Sequence, residues 1–122
     1  VWINRAYQHV NVFTGSKGSW KLTKSFVVGT GEPGTETPVG VTRVTYKLKA
    51  GWTPSTYTVR PVVGFYPDPG YAFHSRLCTP KTDGDYDFSS GYPVSHGCVR
   101  MQKKDVNWIY DNVPIGSTVV IF

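Results

Sequence analysis

Val94-Ser95-His96-Gly97-Cys98-Val99-Arg100-Met101 places one cysteine between a His-Gly pair and an arginine. A thiol attacks carbonyl carbon as its thiolate, so it needs a base or a positive charge close by. His96 and Arg100 flank Cys98 within two positions on either side, and His74 lies well upstream with Ser75 beside it. A glycine just before the thiol lets backbone approach a substrate and helps aim amide N–H groups at a developing oxyanion. On residue chemistry alone a reactive and a structural thiol stand level. A cysteine is also a small buried hydrophobe, and His-Gly-Cys also suits a turn between strands or a metal-ligand fragment. A closed zinc site takes four ligands, usually in spacings such as C-x2-C. With two cysteines, three histidines and no C-x2-C, such a site would need four of these five scattered residues, which argues against it.

Outward from this stretch the chain reads mostly as strands. Trp2-Ile3, Val10 to Phe13 and Ser25 to Val28 are short strand patterns, and Thr14 to Ser19 is a turn by composition. Gly29 to Gly40 is a loop rich in Gly, Pro and Thr, and Val41 to Leu48 alternates apolar and polar residues as a half-buried strand does. Tyr57 to Tyr66 offers one or two more strands, with Pro61 marking an edge or a break. Tyr71 to His74 reads as a short buried strand, and Thr79 to Tyr92 as a polar loop carrying Asp83, Asp85 and Asp87. Lys104 to Tyr110 is the best helix pattern: Val106, Ile109, Tyr110 and Val113 share one face, and Pro114 and Gly116 end it. Val119 to Phe122 is a final apolar strand. The expected fold is mainly β: one domain over residues 1–122, a curved sheet or β-sandwich with one main helix near the C-terminal end.

Composition narrows the function classes. The net charge is +5, yet the eight lysines and five arginines are scattered and only Lys103-Lys104 are adjacent. No basic stripe interleaves with aromatics as single-stranded nucleic-acid binding favours, so no nucleic-acid partner is expected. The charge reads equally as a solvated surface or as mild attraction to a polyanionic partner. No apolar run is long enough to span a membrane. Gly29-Thr30-Gly31-Glu32-Pro33-Gly34 satisfies G-x-G-x-x-G, but a dinucleotide site needs that motif to open a helix. Gly34, Pro38 and Gly40 follow instead, and no helix begins there. Cys78 and Cys98 could pair in an oxidising compartment, which would disarm Cys98; Cys78 reads by default as a packed thiol without a catalytic task.

The octapeptide resembles the signature of the L,D-transpeptidase catalytic domain (the YkuD family): Ser/Thr-His-Gly-Cys, an apolar residue, then Asn or Arg. Other landmarks are similar and fall in the family's order: Val10 to Phe13, Val27-Val28-Gly29-Thr30-Gly31, Thr37-Pro38-Val39-Gly40-Val41, Phe73-His74-Ser75 and Pro114 to Ile121. Two features depart from the pattern. The stretch between His74 and Ser95 is longer than is usual, and Ser75 stands where many members have glycine after the histidine.

The resemblance implies a cysteine acyltransferase that needs no metal or organic cofactor. Cys98 would be the nucleophile and His74 its general base, with the Ser75 backbone carbonyl orienting the other imidazole nitrogen. The Gly97 and Cys98 amides would meet the oxyanion. His96, Arg100 and Ser95 would line the substrate site, Arg100 toward a carboxylate and Ser95 also fixing the loop; His9 has no role. His96, two positions from Cys98, could share a strand face with it, so adjacency alone does not exclude it as the base, and it is the resemblance that favours His74. Thr37 and Pro38 are expected to be structural. The implied reaction is ping-pong transfer from a peptidoglycan tetrapeptide stem to an amine, forming 3→3 cross-links in an extracytoplasmic, wall-facing setting, with export or anchoring segments outside this chain and carbapenems acylating the same cysteine. Water as acceptor would make an L,D-carboxypeptidase; a non-catalytic wall-binding module is the remaining alternative.

Overall fold

A computed structural model of the chain describes residues 1–54, 57–65, 70–79 and 95–122. In chain order the elements are β1 (Trp2–Asn4), β2 (His9–Thr14), β3 (Lys21–Gly29), β4 (Gly40–Leu48), β5 (Val62–Phe65), β6 (Tyr71–Ser75), β7 (Val99–Met101), α1 (Lys103–Asn112) and β8 (Thr118–Ile121). The expected curved sheet is present, and its curvature runs to closure in the order β1-β2-β3-β7-β6-β5-β4-β8. Closure leaves no open edge to template pairing with another chain. The β1–β8 and β6–β7 pairs run parallel and the other neighbours antiparallel. α1 is the crossover from β7 to β8, and it packs on β5 and β6.

Element boundaries follow local chemistry. β3 begins earlier than the apolar pattern indicates, because Lys21 to Lys24 are exposed yet still pair with β2 past a bulge at Val12/Phe13. The segment around Pro61 resolves into isolated bridges at Thr58 and Val59, a cis Arg60–Pro61 bond, and then β5, whose four residues are all buried. β7 has no counterpart among the expected strands: three residues are too few to show a period of two. The expected acidic loop lies, from residue 80 onward, outside the described residues, as does Val94.

Register decides which side chains face where, since successive residues of a strand point to opposite faces. Val63↔Phe73 and Phe65↔Tyr71 form one set of cross-strand pairs, and Val62↔His74 and Gly64↔Ala72 the other. The first set turns inward, where Val63, Phe65 and Phe73 join Ile3, Val10, Val28, Val44, Val99 and Met101 in the main core. Val106, Ile109 and Val113 of the helical segment complete it, with Tyr110 packed against it. The second set turns outward, where Val62, Ala72 and Val59 form a smaller cluster covered by Tyr46, Trp52, Tyr57 and Leu77. His74 belongs to this outer face.

Gly64 is where the two faces constrain each other. A Cβ there would stand 2.1 Å from Tyr46 Cε1, so the bare backbone makes room for the ring that roofs the outer cluster. Gly64→Ala is expected to destabilise the fold by about 1–3 kcal/mol through overpacking, read from the denaturant midpoint. An unchanged midpoint would mean that the Tyr46 ring moves aside without cost.

Candidate active site

The site forms on the outer face where β6 and β7 run side by side. The pairing Phe73↔Val99 faces the core, and His74↔Arg100 faces outward. Cys98 precedes Arg100 by two residues and so continues the same face at the start of β7. His74, Cys98 and Arg100 line one cleft of about 300 Å³, with Trp52, Pro54 and Tyr57 among its walls. Ser95 and His96 also line it.

His74 is buried, and its Nδ1 is 2.6 Å from the backbone oxygen of Ser75. That short contact makes Nδ1 the protonated nitrogen and leaves Nε2 as the acceptor. The Ser75 carbonyl is itself held still, because the N–H of the same peptide unit, Arg76 N, donates to Met101 O at 2.9 Å, while the Ser75 hydroxyl accepts from Arg60 N at 2.9 Å and donates to Arg76 O at 2.8 Å. Burial pushes the His74 imidazole down to about 4; the Ser75 hydrogen bond works against this, and the Arg100 charge adds to it. Burial also pushes the Cys98 thiol up, while the Ala72 backbone amide and the Arg100 charge pull it back down. The resting pair is therefore neutral, thiol and imidazole. The Cys98 thiol is half-buried and directs its proton toward Gly70 O at 3.7 Å. Arg100, only 8% exposed, favours thiolate over imidazolium.

The residues before Cys98 are seated on the loop between β3 and β4. Ser95 N donates to Thr30 O at 3.1 Å and Glu32 N donates to Ser95 O at 2.8 Å, so Gly31 and Ser95 pair as a short parallel bridge. The Ser95 hydroxyl donates to Cys98 O and accepts from Gly97 N at 3.2 Å. The Gly97 amide, expected to face an oxyanion, is thus engaged within the loop itself. Gly97 sits at φ +121°, and a Cβ there would lie 2.5 Å from the Tyr71 ring. Only glycine adopts this conformation without strain. The Thr37 hydroxyl, fully buried, accepts from Gly31 N at 3.1 Å and donates to Gly97 O at 2.8 Å. Behind it, the Gln8 side chain takes Thr30 N at 2.9 Å and donates to Thr30 Oγ1 at 2.7 Å. The G-x-G-x-x-G stretch is thus part of the cradle of the thiol loop, with no helix following it.

The expected residues come together as a set: Cys98, His74, Ser75, Gly97, Ser95, His96 and Arg100 all belong to this cleft or its frame. His96 is 87% exposed at the rim, its Nε2 3.7 Å from a Glu32 carboxylate oxygen. His9 stands elsewhere on the barrel, 3.5 Å from Ser25 Oγ. Cys78 is a fully buried thiol donating to Arg76 O at 3.3 Å, and it is not among the residues lining the cleft. Among the described residues no cluster of three His, Cys, Asp or Glu could hold a metal ion, and no helix is long and apolar enough to cross a membrane. Sequence reasoning missed Gln8, whose positive φ of 55° in a polar turn has no sequence signature, and the Trp52 and Tyr57 walls, which no spacing rule connects to a cysteine 46 and 41 residues later.

Known proteins share this architecture. The family model of the L,D-transpeptidase catalytic domain, YkuD, matches residues 1–121. The chain is 32% identical over 111 residues to the probable L,D-transpeptidase ErfK/SrfK of Escherichia coli K12, covering 79% of this chain and 36% of that protein. Among solved structures, a fused Zn-dependent amidase/peptidase/peptidoglycan-binding domain-containing protein of Clostridium acetobutylicum superposes with a TM-score of 0.78 at 29% identity, over 99% of this chain and 50% of the other. The L,D-transpeptidase LdtMt1, solved in complex with imipenem, superposes with a TM-score of 0.75 at 19% identity, over 99% and 57% of the two chains. The chain spans about a third of the length of the curated relatives it matches.

The depressed His74 leads to a pH signature in stability. Between its folded value of about 4 and the ordinary value of 6.5, the unfolded chain takes up a proton that the folded chain refuses. The contribution of a neutral His74 is complete above pH 6.5 and falls as pH drops toward 4, by up to about 3 kcal/mol. Urea midpoints at pH 7.5 and pH 5 are expected to differ more for wild type than for His74→Gln. Equal differences in the two proteins would mean that this imidazole titrates normally.

Proposed function

The chain belongs to the L,D-transpeptidase catalytic-domain family, and we propose that it acts as one catalytic domain that forms 3→3 cross-links between peptidoglycan stems through an acyl-enzyme on Cys98. The observation that carries this reading is the β6–β7 register. It seats Cys98 and His74 beside Arg100 in one cleft, with His74 Nδ1 held by Ser75 O.

The chemistry starts from the neutral pair. As Cys98 Sγ attacks the carbonyl carbon of the third residue of a tetrapeptide stem, its proton passes to His74 Nε2. Because burial disfavours both charged forms, His74 acts as a general base in the attacking step and not as one half of a preformed ion pair. The carbonyl oxygen becomes an oxyanion facing the Cys98 amide. Collapse breaks the bond to the terminal D-alanine, whose amine leaves with the proton from His74, and a thioester remains. A side-chain amine of a neighbouring stem attacks that thioester, gives its proton to His74, and releases Cys98 as the new amide forms. Water in place of the amine yields the carboxypeptidase product. Arg100, buried at the cleft, holds the stem carboxylate or the developing charge, and His96 with Glu32 forms the rim that the acceptor crosses. The setting is extracytoplasmic, and carbapenems acylate the same thiol.

Imipenem supplies a direct test. Intact mass is expected to show one covalent adduct on wild type and none on Cys98→Ala, with His74→Ala slowing acylation at neutral pH by about 10²–10⁴-fold. Incubation with tetrapeptide stems then separates cross-linked dimer from free tripeptide, the two fates of the thioester. Full turnover by Cys98→Ala would overturn the mechanism, and loss of activity in His96→Ala with His74→Ala unaffected would move the base to His96.

A further inference from the structure

We infer that Thr37 is a positioning residue for the oxyanion donor: by holding the Gly97 carbonyl inward, its buried hydroxyl aims the Cys98 N–H at the cleft. This rests on the reading of Cys98 as the acylated nucleophile.

Gly97 C=O and Cys98 N–H belong to one peptide unit. In a planar trans peptide the carbonyl and the N–H point in opposite directions, so fixing one fixes the other. Thr37 Oγ1 donates to Gly97 O at 2.8 Å from a fully buried position, which places that oxygen on the protein side and the Cys98 N–H on the side of the substrate. The hydroxyl has one proton to give, and its other partner, Gly31 N, donates to it at 3.1 Å, so the donation is committed to Gly97 O.

Three further features show that this peptide is held on purpose. Gly97 holds φ +121°, a conformation that a residue with a side chain adopts only with strain, and the Tyr71 ring fills the space a side chain would need. The Ser95 hydroxyl takes the Gly97 amide at 3.2 Å and donates to Cys98 O, so the peptide units on both sides are also fixed. Gly31 stands so close to Thr35 and Thr37 that a Cβ would lie 2.1 Å from Thr35 O, which keeps the Thr37 hydroxyl at a set distance from the thiol loop. With the Gly97 amide engaged by Ser95, of the two amides expected to meet the oxyanion the Cys98 amide remains, and its direction depends on Thr37.

Two reactions of the same sulfur separate positioning from mere support. Alkylation by iodoacetamide forms an S–C bond and releases iodide with no oxyanion. Acylation by imipenem opens the lactam through an oxyanion, breaking the C–N bond as the ring nitrogen takes a proton. Thr37→Val, which keeps shape and removes the donor, is expected to slow acylation by about tenfold or more, below the 10²–10³-fold of deleting a donor outright. Its alkylation rate and the pH at which alkylation rises should match wild type, and Thr37→Ser should restore acylation to within about threefold. Alkylation is assigned to Cys98 by peptide mass. If Thr37→Val does not fold, Thr37→Cys, with its weaker donor, is expected to acylate more slowly than Thr37→Ser. Acylation by Thr37→Val at the wild-type rate, equal slowing of both reactions, or equal acylation by the Cys and Ser variants would overturn the inference. A wild type that alkylates but never acylates would take down the transpeptidase reading and this inference with it.

Discussion

Backbone hydrogen bonds between β6 and β7, in the register Phe73↔Val99 and His74↔Arg100, hold the two halves of the site side by side. Histidine and cysteine are far apart in sequence, and a parallel pair cannot be made by a tight turn. The pairing therefore relies on the core behind it. Phe73, Val99 and Met101 are each fully buried, so slipping the register by one residue would exchange them with His74, Cys98 and Arg100. Hydrophobic burial on one side of these strands thus sets where the polar chemistry stands on the other.

The electrostatics of the cleft follow from the same burial. Both the imidazole and the thiol sit where charge is poorly solvated, and each is driven toward its neutral form. One positive group, Arg100, biases the pair toward thiolate while discouraging a second cation beside it. On the reading proposed above, such a site would hold Cys98 in check until a substrate carbonyl arrives and a path for the negative charge opens. The fixed peptide units of the Ser95–Cys98 loop would then supply that path without having to reorganise at the moment of attack.

Much of this was legible in the sequence, and the illegible part has a common cause. The His-Gly-Cys run, His74 and the helix face of Val106, Ile109 and Val113 are local signals: a motif, or a period that shows itself within ten residues. The strand pattern gave a curved β sheet. It did not give closure, because β1 pairing with β8 is a long-range parallel contact with no turn to mark it. β7 is hidden inside the His-Gly-Cys motif, since Val99-Arg100-Met101 is too short for its alternation to be counted. The cradle was harder still. Thr37 was expected to be structural, and its hydroxyl does bind backbone; its partner, Gly97, lies 60 residues away, and no spacing rule joins a Thr-Pro to a His-Gly-Cys. Gln8 left no trace at all, because a glutamine in a polar turn looks the same whether its amide faces solvent or a buried threonine.

The seam between β1 and β8 has a consequence for how the molecule reaches this state. Val120 N donates to Val1 O and Phe122 N to Ile3 O, so the barrel is sealed by contacts between the two most distant parts of the described chain. Loop-closure entropy must be met before such contacts return any stability. The hairpins β2–β3, β4–β5 and β5–β6 can form locally, whereas the seam waits on nearly the whole chain. A topology weighted to distant pairings of this kind belongs with the slow, millisecond-to-second folders. During that interval the inward faces of β1 and β8, Ile3 and Ile121 among them, are sticky surfaces looking for each other, and synthesis or refolding is the moment at which this protein is most exposed to aggregation.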